Sequence, residues 1–235
     1  MPNLLLIETA TEVCSVAIAS EGKVIAQAEN LTANRHTTVL ADQIQQCCRA
    51  AKLALNQMDA VAISRGPGSY TSLRVGAATA KGICYALAIP LIAVDTLQAL
   101  AIAAADGIPP GCGVLPMLDA RRAEVWGGLY DQNGRELIPA QPIVFENNLY
   151  DSFVAKVTSF FNSERIVLAG NGAFKTKLVS FFERATISPQ LHCSASSLLS
   201  MAELKLKYAD FENVTYFEPF YIKNPNITIS TRQII

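Results

Sequence analysis

Residues 3–29, NLLLIETATEVCSVAIASEGKVIAQAE, decide the fold. An apolar run at the start, an alternating run over Val13–Ala19 and another over Lys23–Glu29, with Glu21-Gly22 between the last two, predict three antiparallel strands joined by tight turns. The period then changes. Leu40, Ile44, Cys47, Cys48, Ala51 and Leu55 recur at three- and four-residue steps, the face of an amphipathic helix that begins near Thr37 and carries Asp42, Gln45 and Arg49 on its other sides. Asp59–Ser64 reads as a short buried strand, a second helix runs to about Leu87, and Pro90–Val94 supplies a further strand. The order βββαβαβ implies a mixed sheet, antiparallel at first and parallel where strands arrive through helical crossovers.

Thr96 is expected to cap a short helix ending at Ala105, and the run Asp106-Gly-Ile-Pro-Pro-Gly-Cys-Gly113 is the strongest linker signal. It predicts a border between an N-terminal lobe, 1–105, and a smaller C-terminal lobe, 106–235. In the second half, strands are expected at 114–118 and 124–130, with Asn133-Gly134 turning a hairpin into a third at 136–138. A helix at 149–161, a strand at 165–169, the turn Gly170-Asn-Gly172 and a helix from about 194 to 208 complete a worn repeat of the first lobe. The tail 217–235, rich in Pro, Asn and Thr, reads as extended and partly mobile.

With 235 residues, 51% hydrophobic and 17% charged, the chain can bury a full core. Nineteen basic against twenty acidic residues, without a run of one sign, exert no strong pull of their own on nucleic acid. No 18-residue apolar run or secretory signal is visible, so a cytoplasmic protein without a membrane span is expected. Cys14, Cys47, Cys48, Cys84, Cys112 and Cys193 contain no C-x-x-C pair and read as small apolar fillers.

The loop RGPGSYTSLRVG, 65–76, allows two readings. Gly66, Gly68, Ser69 and Thr71 would offer donors to a phosphate at the start of a helix. Yet five residues beyond Gly68 stands Leu73, and no lysine follows a glycine at the P-loop spacing. The favoured reading is structural: Gly66 and Gly68 supply unusual backbone geometry, Pro67 stiffens the turn and Ser69 caps the helix. Behind it, Leu73, Ala77, Ala80, Cys84 and Leu87 share a face with Gly76, small enough for another helix to approach closely. Paired with Leu40, Ile44, Cys47 and Ala51, this face is either intrachain core or an interface. Asp119, Arg121, Arg122 and Glu124 read as an ion-paired hairpin rather than as catalytic groups.

The segments LLLIETATEVCSVAI (4–18), RHTTVL (35–40), ISRGPGSYTSLRVGAATAKGICYA (63–86), IAVDTLQALA (92–101), LPMLDARRAEVWGGLY (115–130), LAGNGA (168–173) and PFYIK (219–223) resemble, in order, the TsaB (YeaZ) family. The resemblance implies an α/β fold of two lobes, of the ribonuclease H-like class shared by actin, sugar kinases and Hsp70-type ATPases. It also implies an accessory, non-catalytic subunit of the bacterial machinery that places threonylcarbamoyl on N6 of adenosine 37 of tRNA. The implied partners are a TsaD-like catalytic paralogue, a TsaE-like ATPase and, through the complex, tRNA; an exposed apolar helix pair would seek any cover, and the sequence leaves homodimer and monomer both open for the chain alone. The helix-pair face Leu40, Ile44, Cys47, Ala51, Leu73, Gly76, Ala77, Ala80 and Cys84 would then be the docking surface.

The paralogue's metal pair, His-x-x-x-His, has no counterpart: four residues to either side of His36 are Thr32 and Leu40. His36 is expected as a capping or surface residue, and no cofactor or metal is expected. Where the wider class uses an aspartate to position metal and phosphates, this chain has Glu8-Thr9-Ala10-Thr11, a degenerate phosphate loop without glycine. The alternative function is a small ATPase or phosphotransferase of the same fold.

Overall fold

A computed structural model describes residues 2–32 and 35–223. The first sheet is ordered β3-β2-β1-β4-β5, from β1 (Asn3–Glu8), β2 (Cys14–Ser20), β3 (Lys23–Asn30), β4 (Ala60–Gly66) and β5 (Leu91–Asp95). β1, β2 and β3 pair antiparallel, and β4 and β5 add parallel, as the element order demands. Two crossover helices, α1 (His36–Ala51) and α2 (Tyr70–Leu87), cover one face. α1 stops four residues before the expected end, because Lys52 turns left-handed (φ 55°) and its N–H bonds back to Arg49. Leu53 and Leu55 still pack on the same core, which is why the apolar period outlasts the helix.

α3 (Thr96–Ala104) follows β5 directly, and Asp95 rather than Thr96 caps it, accepting from the N–H of Gln98 at 3.0 Å. Leu97, Leu100, Ala101 and Ala104 of α3 are buried against Val114, Leu118 and Tyr130 of the second lobe, so this helix is the joint between the two sheets. The second sheet has the order β10-β9-β6-β7-β8, from β6 (Gly113–Asp119), β7 (Glu124–Tyr130), β8 (Glu136–Val144), β9 (Ile166–Ala169) and β10 (Thr186–Ile187). It repeats the first strand for strand: two antiparallel neighbours on one side of β6 and two parallel neighbours on the other. α4 (Asp151–Thr158) is shorter than expected, and β10 has only two residues.

The return of the chain departs from a simple split at 105. A short 3-10 turn (Ala195–Leu198) and α5 (Leu199–Lys207) do not extend the second sheet. Ala195, Leu198 and Ala202 are buried against Leu4, Leu6, Ala17, Ile92 and Val94, covering the other face of the first sheet. The chain then pairs Glu212 with Leu91 at the edge of β5 and drops Phe217 into the core beneath α1 and α2. Residues 217–223 are therefore a strap laid over the first lobe, and the rest of the expected mobile tail, 224–235, lies outside the described residues. All six cysteines are free, five of them buried.

Candidate functional site

The lobes face each other across a cleft of about 830 Å³ lined by the β1–β2 turn, the start of α2 and the β6–β7 turn. At its base Glu8 closes β1, fully buried, and one carboxylate oxygen accepts from the N–H of Ala10 at 2.6 Å and from Ser64 Oγ at 2.9 Å. Burial pushes its carboxyl up to about 7, against the lowering effect of those hydrogen bonds. Thr9 donates its N–H to Ser64 Oγ and Val13 to Thr11 Oγ1, both at 3.4 Å. A phosphate-binding turn would aim these amides at a ligand; here a carboxylate and two hydroxyls of the chain occupy them, so Glu8, Thr9 and Thr11 do not fit a nucleotide phosphate.

The glycine loop is closed in the same way. Ser69 donates its N–H to the carbonyl of Ala10 at 2.7 Å, and that carbonyl comes so near Gly68 that no Cβ would fit. Gly66 has φ 113°, a left-handed value, and faces the carbonyl of Phe220. Ser69 stands at the N-cap of α2, but its hydroxyl is engaged by Ser72 Oγ at 3.0 Å instead of capping an amide. Thr71 is exposed in the cleft wall. His36 is not on the surface: it is buried, with Nε2 3.3 Å from the carbonyl of Val13 and Nδ1 3.4 Å from Ser72 Oγ. Among the described residues no three His, Cys, Asp or Glu side chains gather to hold a metal.

Across the cleft the expected ion-paired hairpin takes its partners from elsewhere. Asp119 pairs with Lys175 at 2.6 Å and accepts the N–H of Arg121, while Glu124 pairs with Lys223 of the strap. Arg121 and Arg122 form the turn itself, both at positive φ. In the Gly170-Asn171-Gly172 turn, Asn171 Nδ2 donates to both carboxylate oxygens of Glu12, at 3.1 and 3.0 Å, and Oδ1 accepts from the N–H of Asp119. A carboxylate of the first lobe thus ties the second lobe across the cleft.

The expected docking face is core. Leu40, Ile44, Cys47, Leu73, Ala77, Ala80 and Cys84 are each at most 6% exposed; all but Leu73 share one core with Ile7, Val16 and Ile63 of the sheet, and Ala51 is half-buried beside them. Gly76 gives way to β1, not to a partner: a Cβ there would overlap Thr9 Oγ1 and lie 3.3 Å from Ile63 Cδ1. An apolar stripe on a helix laid over a sheet points at that sheet. What faces outward is the opposite side, Ala41, Gln45 and Arg49 on α1 and Ala78, Gly82, Tyr85 and Ala86 on α2. Gly82 is exposed in mid-helix with nothing within 4 Å of where a Cβ would stand. Of the two glycines of α2, Gly82 is the one that core packing does not require.

Two ribonuclease H-like lobes facing a cleft define the fold class of actin, the sugar kinases and the Hsp70-type ATPases. Residues 29–230 match the family model described as TsaD: tRNA N6-adenosine threonylcarbamoyltransferase. The Haemophilus influenzae tRNA threonylcarbamoyladenosine biosynthesis protein TsaB is 37% identical over 124 residues, 53% of this chain and 52% of that protein. The chain thus spans about half the length of the curated relatives it matches. Two solved structures from Pseudomonas aeruginosa, one of a protein with similarity to peptidase YEAZ and one of YeaZ, have TM-scores of 0.81 and 0.77 and are 27% and 26% identical to this chain. They cover 95% and 94% of it, and 100% of themselves. The chain belongs to the TsaD family of the matched model, in its TsaB (YeaZ) branch.

Proposed function

We propose that this chain is a non-catalytic subunit of the machinery that places threonylcarbamoyl on N6 of adenosine 37 of tRNA. It docks a TsaD-like paralogue through the outward side of α1 and α2, and a TsaE-like ATPase joins the pair. The names of the relatives support the pathway, and the occupied amides of the β1–β2 turn support the absence of phosphate chemistry in this lobe.

The observation that carries the docking surface is Gly82. An exposed glycine in the interior of a helix costs about 1 kcal/mol against alanine, and nothing in its own chain repays it. With Ala78 and Ala86 one turn to either side, it forms a low ridge over which a second helix can pass at close range. Tyr85, 83% exposed beside the ridge, supplies an aromatic anchor of the sort that dominates interface energies.

The test is co-purification with the TsaD-like paralogue of the same organism. The wild-type chain forms a heterodimer, and Gly82→Arg abolishes it while circular dichroism stays unchanged. A Gly82→Arg chain that still assembles refutes this surface. In a strain lacking the gene, nucleoside mass spectrometry should show threonylcarbamoyladenosine lost from tRNA, and an unchanged level refutes the pathway.

A further inference from the structure

Both helices of the proposed docking surface begin without a cap. Arg35 stands at the N-cap of α1 and Ser69 at that of α2; neither side chain bonds a free amide of its helix, and neither first turn holds an acid. Tertiary contacts hold these starts instead, and for both helices they come from the β1–β2 turn. The carbonyl of Ala10 accepts the N–H of Ser69 at 2.7 Å. The carbonyls of Val13 and Cys14 face His36 Nε2 at 3.3 Å and Gln43 Nε2 at 3.0 Å. At Gly68 and Gly76 a Cβ would strike Ala10 and Thr9, so the same turn also sets how closely α2 lies.

The turn is in its own right held from the second lobe. Asn171 Nδ2 donates to both carboxylate oxygens of Glu12, at 3.1 and 3.0 Å, and His192 Nδ1 stands 3.8 Å from the same carboxylate. Asn171 is fixed on the second sheet. Its Oδ1 accepts the N–H of Asp119 at 2.9 Å, Gly172 donates its N–H to the carbonyl of Met117 at 3.0 Å, and Gly170 lies so near that carbonyl that a Cβ would overlap it. One end of the link is therefore rigid, and hydrogen bonds to a carboxylate are of the stronger kind. We propose that Asn171 is a positioning residue for partner binding: through Glu12 it holds the turn on which the starts of α1 and α2 rest, so the second lobe orders the docking surface of the first. This rests on the reading above that the outward side of α1 and α2 receives a TsaD-like paralogue.

The experiment measures affinity of the full chain for the TsaD-like paralogue and hydrogen exchange of the free chain, in Asn171→Asp and in the double variant Glu12→Gln/Asn171→Asp. The single variant keeps an oxygen for the N–H of Asp119 but sets two carboxylates against each other. Its affinity falls about 5-fold or more. Exchange quickens at the amides of 40–43 and 73–76, which bond to carbonyls at the starts of the two helices, while β7 exchanges as in the wild type. The double variant swaps the two groups, so that an amide again meets a carboxylate, and both readouts return to within about twofold of the wild type. Unchanged affinity of the single variant, unchanged exchange in the two helices, or a double variant no better than the single one each overturn the proposal. Gly82→Arg separates the two readings: if it abolishes the heterodimer while Asn171→Asp leaves the affinity intact, the docking surface stands and the positioning role falls. A wild-type chain that forms no heterodimer refutes the docking surface, and the positioning role with it.

Discussion

Gly76 and Gly82 sit six residues apart on one helix, and the same substitution should act on them with opposite sign. Replacing either by alanine recovers about 1 kcal/mol of helix propensity. At Gly82 the new methyl meets nothing within 4 Å, so the whole gain remains. For a chain of this size that raises the melting temperature by about 2–4 °C. At Gly76 the methyl overlaps the hydroxyl of Thr9, a side chain with no exposure and no hydrogen-bond partner. Moving it drives the Thr9 side chain into a packed sheet, an overpacking that costs about 1–3 kcal/mol. After the propensity gain the net loss is about 1 kcal/mol, leaving the two variants about 2 kcal/mol apart by urea denaturation. Thr9→Ala removes the obstructing atom, so Gly76→Ala should cost less in that background than in the wild type, with a coupling of 0.5 kcal/mol or more. Equal stability of Gly76→Ala and Gly82→Ala, or additivity with Thr9→Ala, would refute the assignment of Gly76 to the core. Gly82→Ala should also weaken the TsaD-like partner while it stabilises the free chain, the trade expected where a fold keeps a costly residue for an interface.

Glu8, with a carboxyl pushed up to about 7 by burial, holds a proton in the folded state that the unfolded chain gives up near 4.5. Its contribution to stability is therefore fully present below about pH 4.5 and is lost as the pH rises through about 7, a fall of about 3 kcal/mol that Glu8→Gln removes. Urea denaturation at several pH values checks this, and parallel curves for the two proteins contradict it. Phe217, 7% exposed among Val16, Ala77 and Cys84, pins the strap to the first lobe. Phe217→Ala should cost about 3 kcal/mol or more and raise hydrogen exchange over 212–223, whereas an unchanged urea midpoint would show that the strap is held elsewhere.

The parts of this fold that sequence alone yields are those whose cause is local. Alternation over 13–30 and a three-to-four-residue period from Leu40 and from Leu73 place β2, β3, α1 and α2 to within a few residues, because each depends on neighbours in the chain. The end of α1 is missed because Leu53 and Leu55 keep the apolar rhythm after Lys52 has left the helix. The return of Ala195–Phe217 to the first sheet is missed because it is set by contacts with residues almost two hundred positions away, such as Leu4 and Leu6. The α1/α2 stripe is misread for a different reason. An amphipathic stripe states that a helix face is covered and does not say by what, and here the sheet of the same lobe covers it. A residue is informative about partners only when its own fold gives no account of it. Gly76 has such an account in Thr9, and Gly82 has none. The outward side of α2 is therefore where the docking proposed above is tested, because Gly82 carries a cost in helix propensity that no contact within 4 Å explains.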